Sequence, residues 1–371
     1  MPQLGPRRTR TLLQHFGTPE AALNATESEL SRLPNIGSKR AGEFARAFAA
    51  NDDAVERELE QLDRHGVRLT AFGDDDYPTM LSTIVGAPML LYVRGEFRPE
   101  DPLAVAMVGS RSCTSYGLKA AASIAGGLCR AGRPVISGLA RGIDGACHRG
   151  ALDAGGRTIA VLAGGLAKIY PPEHDKLAAE IVARGGMLLT ETPMTVDVQP
   201  GMFPARNRII SGLSCGIVVV EANVGSGALI TVDHAAEQSR EVYVVPGNID
   251  SPASGGCLEL IRKGARLIRN AEDLLEDLQG LSPIVVPPPE SAKEKKQPAL
   301  FAPPTPVAPP PPPVGLSPVE QALWDALAVP RHADELTREL NLGAGQLAAP
   351  VMKLEMKKHI RRLPGNMLER W

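Results

Sequence analysis

The sequence is poor in aromatic residues and has no paired cysteines. Phe, Trp and Tyr together make up 4% of the 371 residues, which leaves few side chains on which nucleic-acid bases could stack. The five cysteines form no CxxC pair. We therefore expect reduced thiols in a cytoplasmic protein rather than a disulfide frame or a zinc site.

Long apolar runs and an excess of charge are missing as well. No stretch of about 18 apolar residues occurs, and we expect neither a signal peptide nor a membrane partner. The formal net charge is -2, so a site for a polyanion has to be a local basic patch. Hydrophobic residues make up 43% of the chain, enough for a core, and the length predicts two or three domains.

Common nucleotide and metal motifs are also absent. A dinucleotide site needs GxGxxG after a strand, but the first such turn, residues 109–114, reads GSRSCT and lacks the later glycines. No P-loop string GxxxxGK[ST] and no HExxH occurs, and the seven histidines are scattered. We therefore expect no nicotinamide or ATP chemistry, no metal and no cofactor.

Changes in composition divide the chain into four segments. Residues 1–65 predict a helical module, and LPNIGSKRA at 33–41 resembles a helix-hairpin-helix turn with Asn35 in place of the usual glycine; a plain packing module is the alternative. Residues 281–315 predict a linker, because 14 of the 33 prolines lie between 283 and 318 and such a tract cannot pack a core. Residues 316–371 predict a winged-helix-like module, for which DNA and protein partners both stay open.

The segment 66–280 alternates between apolar runs and helical stretches. The runs are apolar throughout rather than alternating, as in parallel strands buried on both faces. Strands are expected at 103–108, 134–137, 158–163, 187–190, 216–221, 241–245 and 265–268, with short lead-in strands at 67–72 and 89–93. Helices are expected at 116–131, 144–154, 173–184, 205–213, 228–239 and 256–263. We predict an α/β fold with a Rossmann-like doubly wound, mostly parallel sheet, flanked by the two smaller modules.

Small-residue turns follow several of these predicted strands. Gly109-Ser110-Arg111 follows the first, Ser137-Gly138 with nearby Arg141 the second, and Gly164-Gly165 the third. Bare backbone N–H groups at such turns bind anions, and helix N-termini help them. Because carboxyl ends of parallel strands meet at one edge, the row of turns predicts a groove for several phosphates.

The segments VGSRSCTSYG, SGLARGIDGACHRGAL, FPARNRIISGLS and SGALITVDHAAEQSREVYVVPG resemble successive motifs of the DNA-processing protein A (DprA, also called Smf) family. The resemblance covers residues 68–270. It implies a non-enzymatic single-stranded-DNA-binding protein of natural transformation and recombination. Such a protein protects incoming strands, helps to load the RecA recombinase, displaces or coexists with single-strand-binding protein, and works as a homodimer.

The resemblance also implies a DNA-binding pocket at the first two turns. Backbone N–H groups of 109–111 and 137–139 and the Arg111 guanidinium would hold phosphates, while bases face outward or stack on Tyr170 or Phe203. One arginine of the 206–208 segment has an alternative structural role, paired with Glu191 or Glu221. Dimerisation is expected through 258–267. The full set of expected DNA-binding residues is Gly109, Ser110, Arg111, Ser137, Gly138, Lys168, Tyr170, Lys176, Phe203, Arg206, Asn207, Arg208, Ser226, Gly227 and Thr231.

Two other functions stay open. The string SGALIT also resembles the GGxGT turn of nucleoside-monophosphate phosphoribohydrolases, enzymes of the same sheet type that need an acid beside the ribose. Asp233 and Glu237 are the nearby carboxylates, although surface or helix-capping roles are favoured for both. The third hypothesis is a protein-interaction scaffold, which predicts no salt-dependent binding of single strands.

Overall fold

The computed structural model describes residues 4–34, 36–49, 52–279, 317–327, 331–332, 336–337, 340, 344–357, 359–363 and 367–370. The chain divides into two units, Met1–Phe301 and Ala302–Trp371. The predicted linker at 281–315 and Asn35 lie outside the described residues.

The first unit begins with five helices. These are α1 Pro6–Phe16, α2 Pro19–Leu23, α3 Glu27–Ser31, α4 Ser38–Ala49 and α5 Asp52–His65. Threonine caps start two of the short ones: Thr18 accepts from the N–H of Ala21, and Thr26 forms a capping box with Glu29. Leu12, Leu30 and other buried apolar side chains form a small core of their own.

Nine of the described strands form one sheet. They are β1 Arg68–Ala71, β2 Leu90–Arg94, β3 Val105–Gly109, β4 Val135–Ser137, β5 Thr158–Val161, β6 Met187–Thr190, β7 Gly216–Val220, β8 Glu241–Val244 and β9 Arg266–Leu267. The accompanying helices are α6 Thr79–Ser82, α7 Ser115–Arg130, α8 Ile143–Asp153, α9 Asp175–Ala183, α10 Met202–Gly212, α11 Gly227–Glu237, α12 Gly255–Arg262 and α13 Ala271–Gln279.

The strand order is β1-β2-β6-β5-β4-β3-β7-β8-β9. The seven strands β6-β5-β4-β3-β7-β8-β9 are all parallel to their neighbours. The strands β1 and β2 add an antiparallel edge next to β6. The chain steps outward from β3 to β6 and then returns to place β7 on the other side of β3. Ligands of such sheets bind at the carboxyl ends of the strands near this reversal.

Both faces of the sheet are covered. Ile136, Leu189 and Ile209 belong to the core on one face, and Met107 and Leu128 belong to that on the other. The strands from β3 to β7 are almost wholly buried, which explains their continuous apolar sequences. The predicted α/β, mostly parallel architecture is confirmed, and the two lead-in strands prove to be part of the sheet.

The second unit contains helices and a small sheet. Its described elements are α14 Pro318–Ala326, β10 Arg331–His332, α15 Ala344–Met356, β11 Ile360–Leu363 and β12 Met367–Arg370. The strands pair in the order β10-β12-β11. Ser317 and Glu320 form a capping box at the start of α14, and the Glu320 carboxylate lies 2.7 Å from Lys353 Nζ.

In the part of the chain that the structure describes, no helix combines the length and the apolar character that crossing a membrane requires.

Candidate nucleic-acid interface

The turn after β3 is held by groups from the end of β7. The Ser110 N–H donates to the Glu221 carbonyl oxygen at 2.7 Å. The Glu221 carboxylate accepts from the Thr114 N–H at 2.7 Å and from the Thr114 hydroxyl. Gly109 is required here, because a Cβ would overlap the Val220 carbonyl oxygen. The turn is therefore rigid, and it leaves the Arg111 side chain exposed.

A buried acid and a buried arginine build the turn after β4. Asp144 Oδ2 accepts from the N–H groups of Gly138, at 3.1 Å, and Ala140, at 3.2 Å. The Arg206 guanidinium donates to the Gly138 carbonyl oxygen at 2.7 Å and to that of Val161. Burial lowers the pKa of Arg206 to about 10, and the nearby Asp144 opposes this shift. Arg206, which was expected to contact DNA, thus lies in the pocket floor with only 5% of its surface exposed.

These bonds correct the predicted phosphate contacts. The N–H groups of 109–111 and 137–139 were expected to hold phosphates. That expectation is wrong for Ser110 and Gly138, because both N–H groups are already bonded within the fold. Any phosphate at this edge therefore depends more on side chains than the sequence indicated.

Four side chains form a continuous row above the pocket floor. We call this row, made of Arg111, Phe203, Tyr170 and Arg141, the aromatic row. The Arg111 guanidinium carbon lies 4.5 Å from the centroid of the Phe203 ring. The Phe203 and Tyr170 rings are 6.1 Å apart, and Arg141 lies 6.0 Å from the Tyr170 ring. Alternating guanidinium and aromatic groups suit both phosphates and base faces. Arg141 is not among the residues that the sequence predicts to bind DNA, although it lies in the glycine-rich turn after β4.

The aromatic row borders a pocket at the carboxyl ends of β3, β4 and β5. The pocket also contacts the Gly164-Gly165 turn and Lys168. Among the described residues that line it, four are arginine or lysine and none is a carboxylate. Arg141 is paired with Glu173 and Lys168 with Asp197, at 2.9 Å for the latter. Both pairs are well exposed, so competing anions can separate them at little cost.

Other predicted residues lie outside the lining of this pocket. Arg208 pairs with Glu191 through two bonds of 2.7 and 2.6 Å, which bears out the structural alternative for one arginine of this segment. Thr231 is 1% exposed, so it cannot contact DNA in this conformation. Asn207, Ser226, Gly227 and Lys176 lie at or near the surface without lining the pocket; Asn207 donates to the Gly227 carbonyl oxygen at 3.4 Å.

Two histidines near the pocket serve the fold. His174 Nδ1 lies 2.9 Å from the carbonyl oxygen of Leu139, a residue with a left-handed backbone at φ 56°. His148 is fully buried, with Nδ1 2.7 Å from the Thr158 hydroxyl. Burial lowers the pKa of His148 to about 3, and His174 and Arg206 add to the shift.

The two carboxylates of the rival enzyme hypothesis do not reach the pocket. Asp233 and Glu237 are exposed on α11, and Glu237 lies 3.5 Å from His234. The described pocket lining therefore lacks the acid that a phosphoribohydrolase places beside the ribose.

Known families match all three folded segments. The family described as DNA recombination-mediator protein A matches residues 68–279, more than half of the chain. The DprA winged helix domain matches residues 307–366. The SAM-like helix-hairpin-helix tandem matches residues 1–43.

Individual relatives agree with these matches. The chain is 40% identical to DNA processing protein DprA of Bacillus subtilis over 60% of this chain and 75% of that protein. It is 42% identical to protein Smf of Escherichia coli over 61% of this chain and 60% of that protein.

Two solved structures are also similar. The X-ray structure of DprA from Streptococcus pneumoniae aligns with a TM-score of 0.64 and 33% identity, covering 74% of this chain and 94% of that one. A structure concerned with the single-stranded DNA binding mode of the Helicobacter pylori protein aligns with a TM-score of 0.52 and 27% identity, covering 57% and 96%.

Proposed function

The chain belongs to the DNA recombination-mediator protein A family, and we propose that it binds single-stranded DNA along the carboxyl edge of its sheet. The observation that carries this proposal is the pocket beside the aromatic row, which joins cationic side chains and aromatic rings and has no carboxylate among its described lining residues. The single-stranded DNA binding of the H. pylori relative supports the same assignment.

In this proposal phosphates and bases use different parts of the aromatic row. Phosphates contact Arg111 and Arg141 through charge-assisted hydrogen bonds, with Lys168 at the pocket margin. Bases stack on the Tyr170 and Phe203 rings, at about 1–3 kcal/mol for each stacked base. Asp144 and Arg206 act indirectly, because they fix the turn that presents Arg141.

The biological part of the proposal depends on the family. We infer that the chain protects incoming single strands during natural transformation, helps to load RecA in the cytoplasm, and displaces or coexists with single-strand-binding protein. We further propose that it acts as a homodimer without enzymatic activity or a cofactor. Two copies of the DNA site would raise the avidity for one strand.

A titration of labelled single- and double-stranded oligonucleotides across a range of salt concentrations tests the binding. The proposal predicts binding of single strands that weakens steeply with salt, since bound phosphates release counterions. Salt-independent or absent binding would favour the scaffold hypothesis. Release of free base from purine monophosphates, assayed in parallel, would instead favour the phosphoribohydrolase.

A further inference from the structure

A second cavity lies at the opposite edge of the sheet. It has a volume of about 540 Å³, within the range of small-molecule sites. Its lining includes Leu103 before β3, Arg133 before β4, Cys215 before β7 and Arg240 before β8. These positions precede parallel strands, so this amino-edge cavity is separate from the proposed DNA pocket, with which it shares no described lining residue.

Two arginines of this cavity, Arg133 and Arg240, have no carboxylate partner among the described residues. Arg240 Nη2 is 3.3 Å from the Met80 carbonyl oxygen and 3.4 Å from that of Gly212, and its buried Nε has no hydrogen-bond partner in the described part of the chain. Arg133 Nη1 is 3.4 Å from the Leu103 carbonyl oxygen. These bonds are long, and both arginine side chains are only partly buried.

Arg133, Arg240 and Cys215 line the same cavity. The Cys215 thiol lies 3.6 Å from the same Leu103 carbonyl oxygen that Arg133 contacts. Burial raises the pKa of the Cys215 thiol, and Arg133 and Arg240 both oppose that shift.

The acidic residues of the lining do not neutralise these two arginines, because each is engaged by an arginine from outside the lining. Asp101 is bound by Arg157, with its closest contact at 2.6 Å. Asp76 is bound by Arg68, and Glu241 lies 3.7 Å from Arg266. The remaining wall is largely apolar and includes Pro78, Met80, Phe97, Leu213 and Leu278.

We propose that the amino-edge cavity binds a small anionic amphiphile, a carboxylate on an apolar body, with its carboxylate between Arg133 and Arg240. The carboxylate would accept charge-assisted hydrogen bonds from exposed nitrogens of the two guanidinium groups and offset one of their two positive charges. The apolar body would cover the walls. This site is independent of the DNA site and adds a small-molecule ligand to a protein proposed to bind a polymer.

Calorimetric titration of the full chain with decanoate tests the site, with decanol as the neutral analogue. We expect decanoate to bind at one site, decanol to bind much more weakly, and Arg240→Met to weaken decanoate binding about ten-fold or more. Arg184→Met, an exposed arginine paired with Glu180 outside the cavity, is the matched control and should bind as the wild type does. Equal affinities for decanoate and decanol, or no effect of Arg240→Met, would overturn the proposal.

A second measurement needs no variant. The rate of N-ethylmaleimide addition is followed by mass spectrometry at Cys215 in the cavity and at Cys113 in the turn after β3; both are partly exposed. Decanoate should slow the reaction at Cys215 and leave Cys113 unchanged, whereas an oligonucleotide should slow it at Cys113 only. Equal slowing of both cysteines by decanoate, or none at Cys215, contradicts the cavity site without touching the DNA proposal.

Discussion

At the scale of single residues, the pocket is shaped by groups that lie beneath it. Asp144 accepts the N–H groups of the turn after β4, and Arg206 holds the carbonyl side of the same turn. The Arg206 bond could not be predicted from the sequence, since the arginine lies 68 residues away from Gly138. The sequence identified the turn and the nearby arginines, but it could not say which donors the fold had already used.

His148 makes the free energy of unfolding depend on pH. In the folded protein the pKa of this buried side chain is about 3, whereas the pKa of histidine in an unfolded chain is about 6.5. The unfolded chain therefore binds the extra proton as the pH falls below 6.5, and stability is lost down to the folded pKa. Between pH 7 and pH 5 we expect this residue alone to remove about 2 kcal/mol from the free energy of unfolding.

Urea unfolding of the wild type and of His148→Asn at both pH values checks this prediction. The variant is expected to be less stable at pH 7, because the packed ring is lost, but to lose about 2 kcal/mol less on acidification. The same pH dependence in both proteins would show that His148 is not neutral in the fold.

At the scale of elements, the strands and their order of appearance follow from the sequence. Continuous apolar runs identified the parallel strands β3 to β7 to within about two residues, because strands buried on both faces are apolar throughout. The antiparallel placement of β1 and β2 beside β6 was not predictable in the same way. The strand β6, which pairs with β2, lies about 100 residues further along the chain, and no local turn fixes that pairing.

The glycines of the predicted site fall into two classes that substitution separates. A Cβ at Gly109 would overlap the Val220 carbonyl oxygen of the neighbouring strand, while at Gly227 no atom lies within 4 Å. We expect Gly109→Ala to lower the free energy of unfolding by about 1–3 kcal/mol or more. The matched Gly227→Ala should stay within about 0.5 kcal/mol of the wild type. Thermal or urea unfolding measures both, and equal effects would contradict the close approach of β3 and β7.

At the scale of the whole molecule, the proposed homodimer predicts a contact between copies at β9. Leu267 on this two-residue edge strand is 48% exposed, and an edge strand presents unpaired N–H and C=O groups to another chain. The segment lies within the predicted dimerisation region at 258–267. We expect Leu267→Glu to shift the protein from dimer to monomer in sedimentation velocity.

The control for this experiment is Val55→Glu on α5, where the valine is 52% exposed and no contact between copies is expected. It should sediment as the wild type does. A dimer that survives Leu267→Glu, or a wild type that is monomeric throughout, rules out this surface.

Because the net charge is -2, the DNA proposal depends on a local basic patch. Substitution of Arg111 tests that patch most directly. Salt-dependent binding of a labelled single strand should be compared between the wild type, Arg111→Ala and Arg130→Ala, an exposed arginine at the opposite end of α7. The account predicts that Arg111→Ala weakens binding and lowers the salt slope by about one, while Arg130→Ala binds as the wild type does. Unchanged binding by Arg111→Ala, or equal losses in both variants, would contradict a DNA site at the carboxyl edge of the sheet.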